Sequence, residues 1–507
     1  MSDPQSPTIQ LHANDDVVIA RMPLSAGQIL PSGLKLRQDI PFGHKVAVHA
    51  LAKGQPVRRY NQIIGFATAD IAPGEHVHLQ NLGMGDEFAR DYAFATENAP
   101  LARAAQERTF QGFVRPDGRI GTRNYIALIS SVNCSATAIR RIADHFGGDA
   151  LKDYPNVDGV VSLPQSLGCA VGFEGEAMQV MRRTMAGYAR HPNFAGVIIV
   201  GLGCESNQIP VMMKQQGLVE GPMLRTMTIQ ETGGTGKTIA RGIAMVEEML
   251  PIVNQAVRQS VPASQLVLAL ECGGSDSCSG ISANPALGNA VDRLVAHGGT
   301  AVLSETPEIY GAEHLLTRRA TTEAVGRKLV DRIRWWEDYC ARTHSEMNNN
   351  PSAGNKAGGL TTILEKSLGA IAKAGHSPLT AVYEYAEPVT EKGMVFMDTP
   401  GYDAVATTGQ IAGGANIMVF TTGRGSAYGG TGIPSIKAAS NTPLWNRQSE
   451  DMDVNCGGIV DGDTSIEKVG EEIFEMILRV ASGERTKSEN YGYGQLEFAP
   501  WHIGAIM

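Results

Sequence analysis

The chain reads as an α/β protein in which a small β-rich module precedes two α/β domains with largely parallel sheets. Three observations predict this. At 507 residues the chain exceeds what one hydrophobic core organises, so several domains are required. Residues 8–84 carry short apolar or alternating runs cut by turn-forming triplets. From residue 111 onward, short apolar runs alternate with amphipathic helical stretches, the pattern of strand–helix layers.

Within the first module, runs at 16–22, 45–50 and 62–67 are strand candidates. Pro31-Ser32-Gly33, Ala52-Lys53-Gly54 and Ala72-Pro73-Gly74 separate them. Residues 85–110 have mixed charge and no sustained period, and read as a linker. In the second domain, 111–252, the strands are expected at 125–130, 159–163 and 196–200, with helices at 136–145, 174–188 and 238–249. A break at residues 251–262 divides this region from a C-terminal domain, 260–507. There the strands are expected at 266–270, 300–303, 393–397 and 417–420, with a helix at 322–342. Residues 348–359, rich in Asn, Ser and Gly, are expected to form a loop.

Composition narrows the function. Net charge is −9, with a pI near 5.8, which argues against a general nucleic-acid binder. No apolar run approaches the ~18 residues of a membrane span, and residues 1–10 lack a basic stretch followed by an apolar one. Seven cysteines, an odd number in a long chain, favour reduced thiols and a cytoplasmic location. The 58 glycines exceed the usual ~7% and cluster beside Ser, Thr, Asn and Cys, where backbone approaches a ligand or turns tightly.

Small and reactive residues recur just beyond the strands. The run Ser-Ser-Val-Asn-Cys134 comes after Ile129, Pro-Gln-Ser-Leu-Gly-Cys169 after Leu163, and Gly-Leu-Gly-Cys204-Glu205 after Val200. Leu270 leads into Glu-Cys272-Gly-Gly-Ser-Asp276, Leu303 into Ser-Glu305, Met397 into Asp-Thr-Pro-Gly401, and Phe420 into Thr-Thr-Gly-Arg424-Gly425. In open, Rossmann-like sheets the carboxyl ends of the strands form the ligand crevice, so seven such ends point to an enzyme. Cys134, Cys169, Cys204 and Cys272 are metal-ligand candidates, with small buried thiols as the competing reading. His12, beside Asn14-Asp15-Asp16, is a further candidate ligand. His76 and His78 share one face of a strand, and exposed edge histidines are their competing reading. Gly43-His44-Lys45 is a glycine-hinged turn that presents a base beside a cation, suited to proton transfer. Arg123 and Asn124 in Gly118–Asn124, Lys356 in a Gly-rich stretch, and Arg424 combine cations with permissive backbone and are candidate carboxylate binders.

These segments resemble the altronate/galactarate dehydratase family. The first module resembles a SAF domain at Gly43-His44-Lys45 and Gly74-Glu75-His76-Val77-His78. The rest resembles the dehydratases at GRIGTRN (118–124), GLGCE (201–205), ECGGSDSCSG (271–280), PSAGNKAGG (351–359) and TGRGSAYGG (422–430), a likeness running from about residue 9 to 500. The resemblance implies dehydration of a hexonate or aldarate to a 2-keto-3-deoxy acid with Fe²⁺, Mn²⁺ or a similar divalent ion, in a homo-oligomer, a dimer being expected. Altronate-like and galactarate-like stretches are mixed. On this expectation His44 and Lys45 move protons, Arg123, Asn124, Lys356 and Arg424 orient the sugar acid, and His12 or the cysteines hold metal. The rivals are a sulfo-lyase acting on a sulfonated hydroxyacid and a non-catalytic sugar-acid-binding protein.

Overall fold

The computed structural model describes residues 6–85 and 91–506. The first module is built from two small antiparallel sheets. One orders the strands Thr8–Ile9, Val17–Ala20, Lys45–Ala47 and His76–Val77; the other orders Pro56–Arg59, Gln62–Ala67 and Leu82–Gly83. The hairpin between Pro56–Arg59 and Gln62–Ala67 turns on Tyr60 and Asn61, both in the left-handed region (φ 59° and 57°). That conformation matches the twist of a two-residue hairpin, and it sends Tyr60 inward beneath Arg59, whose guanidinium lies 4.5 Å from the ring centre.

The second domain has a four-stranded parallel sheet in the order Gly159–Leu163, Tyr125–Ser130, Phe194–Gly201, Leu224–Thr228. The C-terminal domain has seven parallel strands in the order Leu379–Tyr383, Gly393–Met397, Thr300–Leu303, Val267–Cys272, Ile417–Thr422, Ser435–Ala439, Val454–Asn455. The expected α/β class with largely parallel sheets is therefore what the chain adopts.

Several elements depart from the sequence reading. Strands Leu224–Thr228, Leu379–Tyr383 and Ser435–Ala439 escape it, since Arg225, Thr226, Thr380 and Lys437 break the apolar runs that mark buried strands. The break at 251–262 contains strand Arg258–Pro262. It pairs antiparallel with Thr109–Val114, which in turn pairs with Ile120–Gly121, so this small sheet sews the second domain to the third. Residues 348–359 include a short helix, Ala353–Ala357. Ser352 and Asn355 cap it reciprocally, which its polar composition concealed.

Within the expected linker, 86–90 lie outside the described residues. The segment after them packs on the C-terminal domain: the Ala95 N–H donates to Thr317 O at 3.0 Å and the Ala104 N–H to Ala296 O at 3.0 Å. The largest core cluster runs from the first module (Val17, Val57, Ile64) into the C-terminal domain (Leu268, Leu287, Phe396), and a second joins Ile129 and Met185 to Phe420. Burying apolar surface across the boundaries stabilises the three domains as one body. Among the described residues, no helix is long and apolar enough to cross a membrane.

Candidate active site

The Gly43-His44-Lys45 turn of the first module lies against the C-terminal domain. His44, His76 and His78 form a cluster with ring centres 4.8–5.4 Å apart. His44 Nδ1 is 2.9 Å from His76 Nε2, and the far edges of the cluster meet the short helix: His44 Nε2 lies 3.3 Å from Ala357 O and His78 Nε2 2.9 Å from Lys356 O. Burial lowers all three pKa values, to about 4 for His44 and His76, so these imidazoles are neutral at pH 7. With Nε2–H donating to Ala357 O, the His44 lone pair is at Nδ1, where it accepts from His76 Nε2–H, so taking a substrate proton there requires the His76 ring to give way.

Next to the histidines lies an ionic clamp. Lys45 Nζ donates to Gly359 O at 2.6 Å and to both oxygens of Glu365 at 2.9 and 3.0 Å. Arg59 donates to Glu365 at 2.7 Å and to Ser277 Oγ and O at 2.9 and 2.7 Å. Thr361 adds two further donors to Glu365, and Lys45, Arg59 and Glu365 are all buried. Burial alone would raise the Glu365 pKa; Lys45 and Arg59 overcome it and hold it at about 2. Gly359 (φ +95°) permits the approach, since a Cβ there would stand 2.5 Å from Gly43 O.

Glu365 also marks the entrance to a second cluster. The helix Ile363–Ile371 turns Glu365 toward the first module and Lys366 toward the carboxyl ends of the seven-stranded sheet, where Lys373 joins it from the 3₁₀ turn Ala372–Ala374 that follows. The chain order reverses between Val267–Cys272 and Ile417–Thr422, the switch point where such sheets bind ligands. Here Cys272 Sγ and the Glu305 and Glu308 carboxylates lie within 4.8 Å of one another, all buried. Lys366 Nζ donates to Glu308 at 2.7 Å, and Lys373 Nζ lies 3.1 Å from Cys272 Sγ and 3.7 Å from Glu305.

Four carboxyl groups (Glu271, Glu305, Glu308 and Asp403) thus face two lysines. Protons make up the balance. Burial raises Glu271 to about 7 despite Lys373, and burial together with Glu308 raises Asp403 to about 6. Burial, Glu271 and Glu308 push Glu305 well above the carboxylate range. Neither Glu305 oxygen receives a hydrogen bond from a fixed donor, and Glu305 sits at a positive φ of 67°. A thiol and two carboxyl groups that can exchange their protons for a cation, one of them without a hydrogen-bond partner, fit a divalent ion.

The sequence-derived candidates fall into groups. His44 and Lys45 adjoin this centre, Lys45 with its ammonium spent on the clamp. Lys356 is half-buried on the short helix that meets the histidines, and exposed Arg424 packs its Cβ position beside Gly274, just after Cys272. Arg123 and Asn124 are taken up elsewhere. Arg123, 2% exposed, grips Glu489 bidentately at 2.6 and 2.8 Å and donates to Val480 O and Glu484 O. Asn124 ties Asn156 O to Val253 O. His12 is exposed and its Nδ1 accepts from the Asn14 N–H, whereas Cys134, Cys169 and Cys204 lie on the second domain and Cys272 in the cluster above. Sequence reasoning passes over Glu308, Lys366, Lys373 and Asp403. Lys366 and Lys373 lie in a largely apolar stretch, 360–374, where a lysine is out of pattern, and that is the available signal.

Comparison with known proteins bears on these residues. Three family models match in succession: "Altronate/galactarate dehydratase SAF domain" over residues 6–85, "D-galactarate dehydratase/Altronate hydrolase, second domain" over 112–254, and "D-galactarate/Altronate dehydratase, C-terminal" over 263–506. The altronate dehydratase of Bacillus subtilis is 33% identical over 96% of this chain and 97% of its own length. The galactarate dehydratase (L-threo-forming) of Escherichia coli is 37% identical over 96% and 94%. The beta subunit of a (2R)-sulfolactate sulfo-lyase from Chromohalobacter salexigens is 31% identical over 76% of this chain and 96% of its own length.

Proposed function

This chain belongs to the altronate/galactarate dehydratase family of hydro-lyases, and from that premise we propose that it removes water from a hexonate or aldarate to give a 2-keto-3-deoxy acid. The observation that carries this reading is the clamp of Lys45 and Arg59 on Glu365, which seats the turn of neutral His44 on the helix whose Lys366 reaches the buried Cys272, Glu305 and Glu308 group at the sheet's switch point. Dehydration beside a carboxylate needs a base for a weakly acidic C–H, positive charge for the resulting enediolate, and an acid for the departing hydroxide.

His44 takes the proton from the carbon beside the substrate carboxylate. Asp403, half-buried and with its pKa raised to about 6, gives a proton to the leaving hydroxyl, which departs as water. The enol that remains tautomerises to the 2-keto acid. A divalent ion held by Cys272, Glu305 and Glu308 would supply Lewis-acid stabilisation of the enediolate. Lys366 fixes Glu308, Lys356 and Arg424 at the rim orient the substrate, and Lys45 holds the His44 turn in place through Glu365.

The test is anaerobic assay of the chain with Fe²⁺ and then Mn²⁺ against a panel of aldonates, aldarates and a sulfonated hydroxyacid. Release of a 2-keto acid from a sugar acid is expected. Sulfite release from the sulfonate alone would replace this reading with the sulfo-lyase one, and saturable binding without turnover would replace it with a binding role.

A further inference from the structure

The seven cysteines divide by burial. Cys272, Cys278 and Cys456 are buried and Cys340 is half-buried, whereas Cys134, Cys169 and Cys204 are exposed. Free cysteine is among the most buried residue types, so packing explains the first set and leaves the exposed three unexplained. These three sit on loops about 35 residues apart, beyond the carboxyl ends of three adjacent strands: Tyr125–Ser130, Gly159–Leu163 and Phe194–Gly201. The central pair of that sheet is its own switch point, where a ligand crevice is expected.

The loops are locked to one another. The Asn133 N–H donates to Leu167 O at 2.9 Å and the Asn207 N–H to Gly168 O at 3.1 Å. Glu205 is buried and accepts from Ser131 Oγ and the Gly203 N–H, both at 2.6 Å. At Gly168 (φ +117°) a Cβ would stand 2.4 Å from Ser131 O, so the Cys169 loop presses directly on the Cys134 loop.

Among the described residues, the one group of three or more His, Cys, Asp or Glu donors within 4.8 Å of one another is Cys272, Glu305 and Glu308. The three exposed thiols are not gathered as tightly as the ligands of a single ion. Asn133, next to Cys134, and Ser166 line a cavity of about 650 Å³ that Tyr402 and His502 also line.

We propose that Cys134, Cys169 and Cys204 hold an iron–sulfur cluster. Three thiolates bind three irons of a cubane, each cysteine releasing its thiol proton to solvent as an Fe–S bond forms, with two ferrous ions, two ferric ions and four sulfides supplied from solution. The fourth iron is left without a protein ligand and faces the cleft, open to an oxygen donor such as a carboxylate or hydroxyl. This site is separate from the Cys272 group and goes beyond the reading of the reaction.

The full chain is reconstituted anaerobically with equal amounts of ferrous and ferric iron and with sulfide, desalted, and measured for iron, acid-labile sulfide and visible thiolate-to-iron absorption. The expected result is about four irons and four sulfides per chain, as a [4Fe–4S] centre requires. Cys134→Ser, Cys169→Ser and Cys204→Ser each lose most of the labile sulfide, and Cys340→Ser retains it. Alanine versions, checked by circular dichroism, guard against a misfolded variant. Iron uptake without labile sulfide, or trio variants that match Cys340→Ser, overturns the proposal. The sugar-acid panel run on the same samples separates the two readings, because sulfide content is scored whether or not any substrate turns over.

Discussion

The two parallel sheets offer the same topological feature and treat it in opposite ways. In the C-terminal domain the switch point is roofed by the first module and filled with buried carboxyls, two lysines and a buried thiol. In the second domain the switch point carries three exposed thiols. A covered crevice excludes water, strengthens charge interactions and shifts pKa values, which suits proton transfer. An uncovered one leaves ionisable thiols free to meet soft metals. Coverage, rather than strand order, separates the two.

The contrast can be broken at the cover. Glu365→Gln leaves Lys45 and Arg59 buried without their counter-charge and should cost about 3–5 kcal/mol of stability, read by chemical denaturation, together with a fall in turnover. The same group predicts an acid limit. Because its pKa in the folded chain is about 2, below the ordinary 4.5, Glu365 stabilises the fold fully above pH 4.5. That stabilisation, about 3 kcal/mol at 1.36 kcal/mol per pKa unit, is lost as pH falls from 4.5 toward 2. Small-angle scattering should then show the first module separating, and an unchanged profile down to pH 2 would speak against the clamp. Arg123→Lys should cost about 1.5–3 kcal/mol by weakening the bidentate hold on Glu489, with KM for the sugar acid unchanged. Smallest of all, Cys134→Ser in the metal-free chain should move stability by no more than about 0.5 kcal/mol, as at other exposed positions, so a large loss would assign Cys134 to packing.

Sequence resolved the architecture better than the site. Strands such as Tyr125–Ser130 and Thr300–Leu303 are continuous apolar runs whose burial on both faces is written in their residues. Ser435–Ala439 is equally buried but contains Lys437, so the apolar pattern fails there. At the site, strand ends announced Cys272, and a glycine turn announced His44. Glu308, Lys366 and Asp403 come from a 3₁₀ turn, a helix middle and a helix start, where a charged residue ordinarily faces water. Only the tertiary fold turns them inward. The motif GRIGTRN shows the reverse: Arg123 looks like a ligand-binding cation in sequence, and in three dimensions it anchors the C-terminal helix Lys487–Tyr491 through Glu489.

Whether catalysis resides beneath the first module, at His44, is read from 2-keto acid formation in His44→Gln beside Arg123→Lys, with iron content matched. His44→Gln should lose about 10²–10⁴ in turnover, the usual worth of a general base, while Arg123→Lys stays near the parent rate. Turnover within tenfold of the parent for His44→Gln, with collapse for folded Arg123→Lys, would contradict a catalytic centre there.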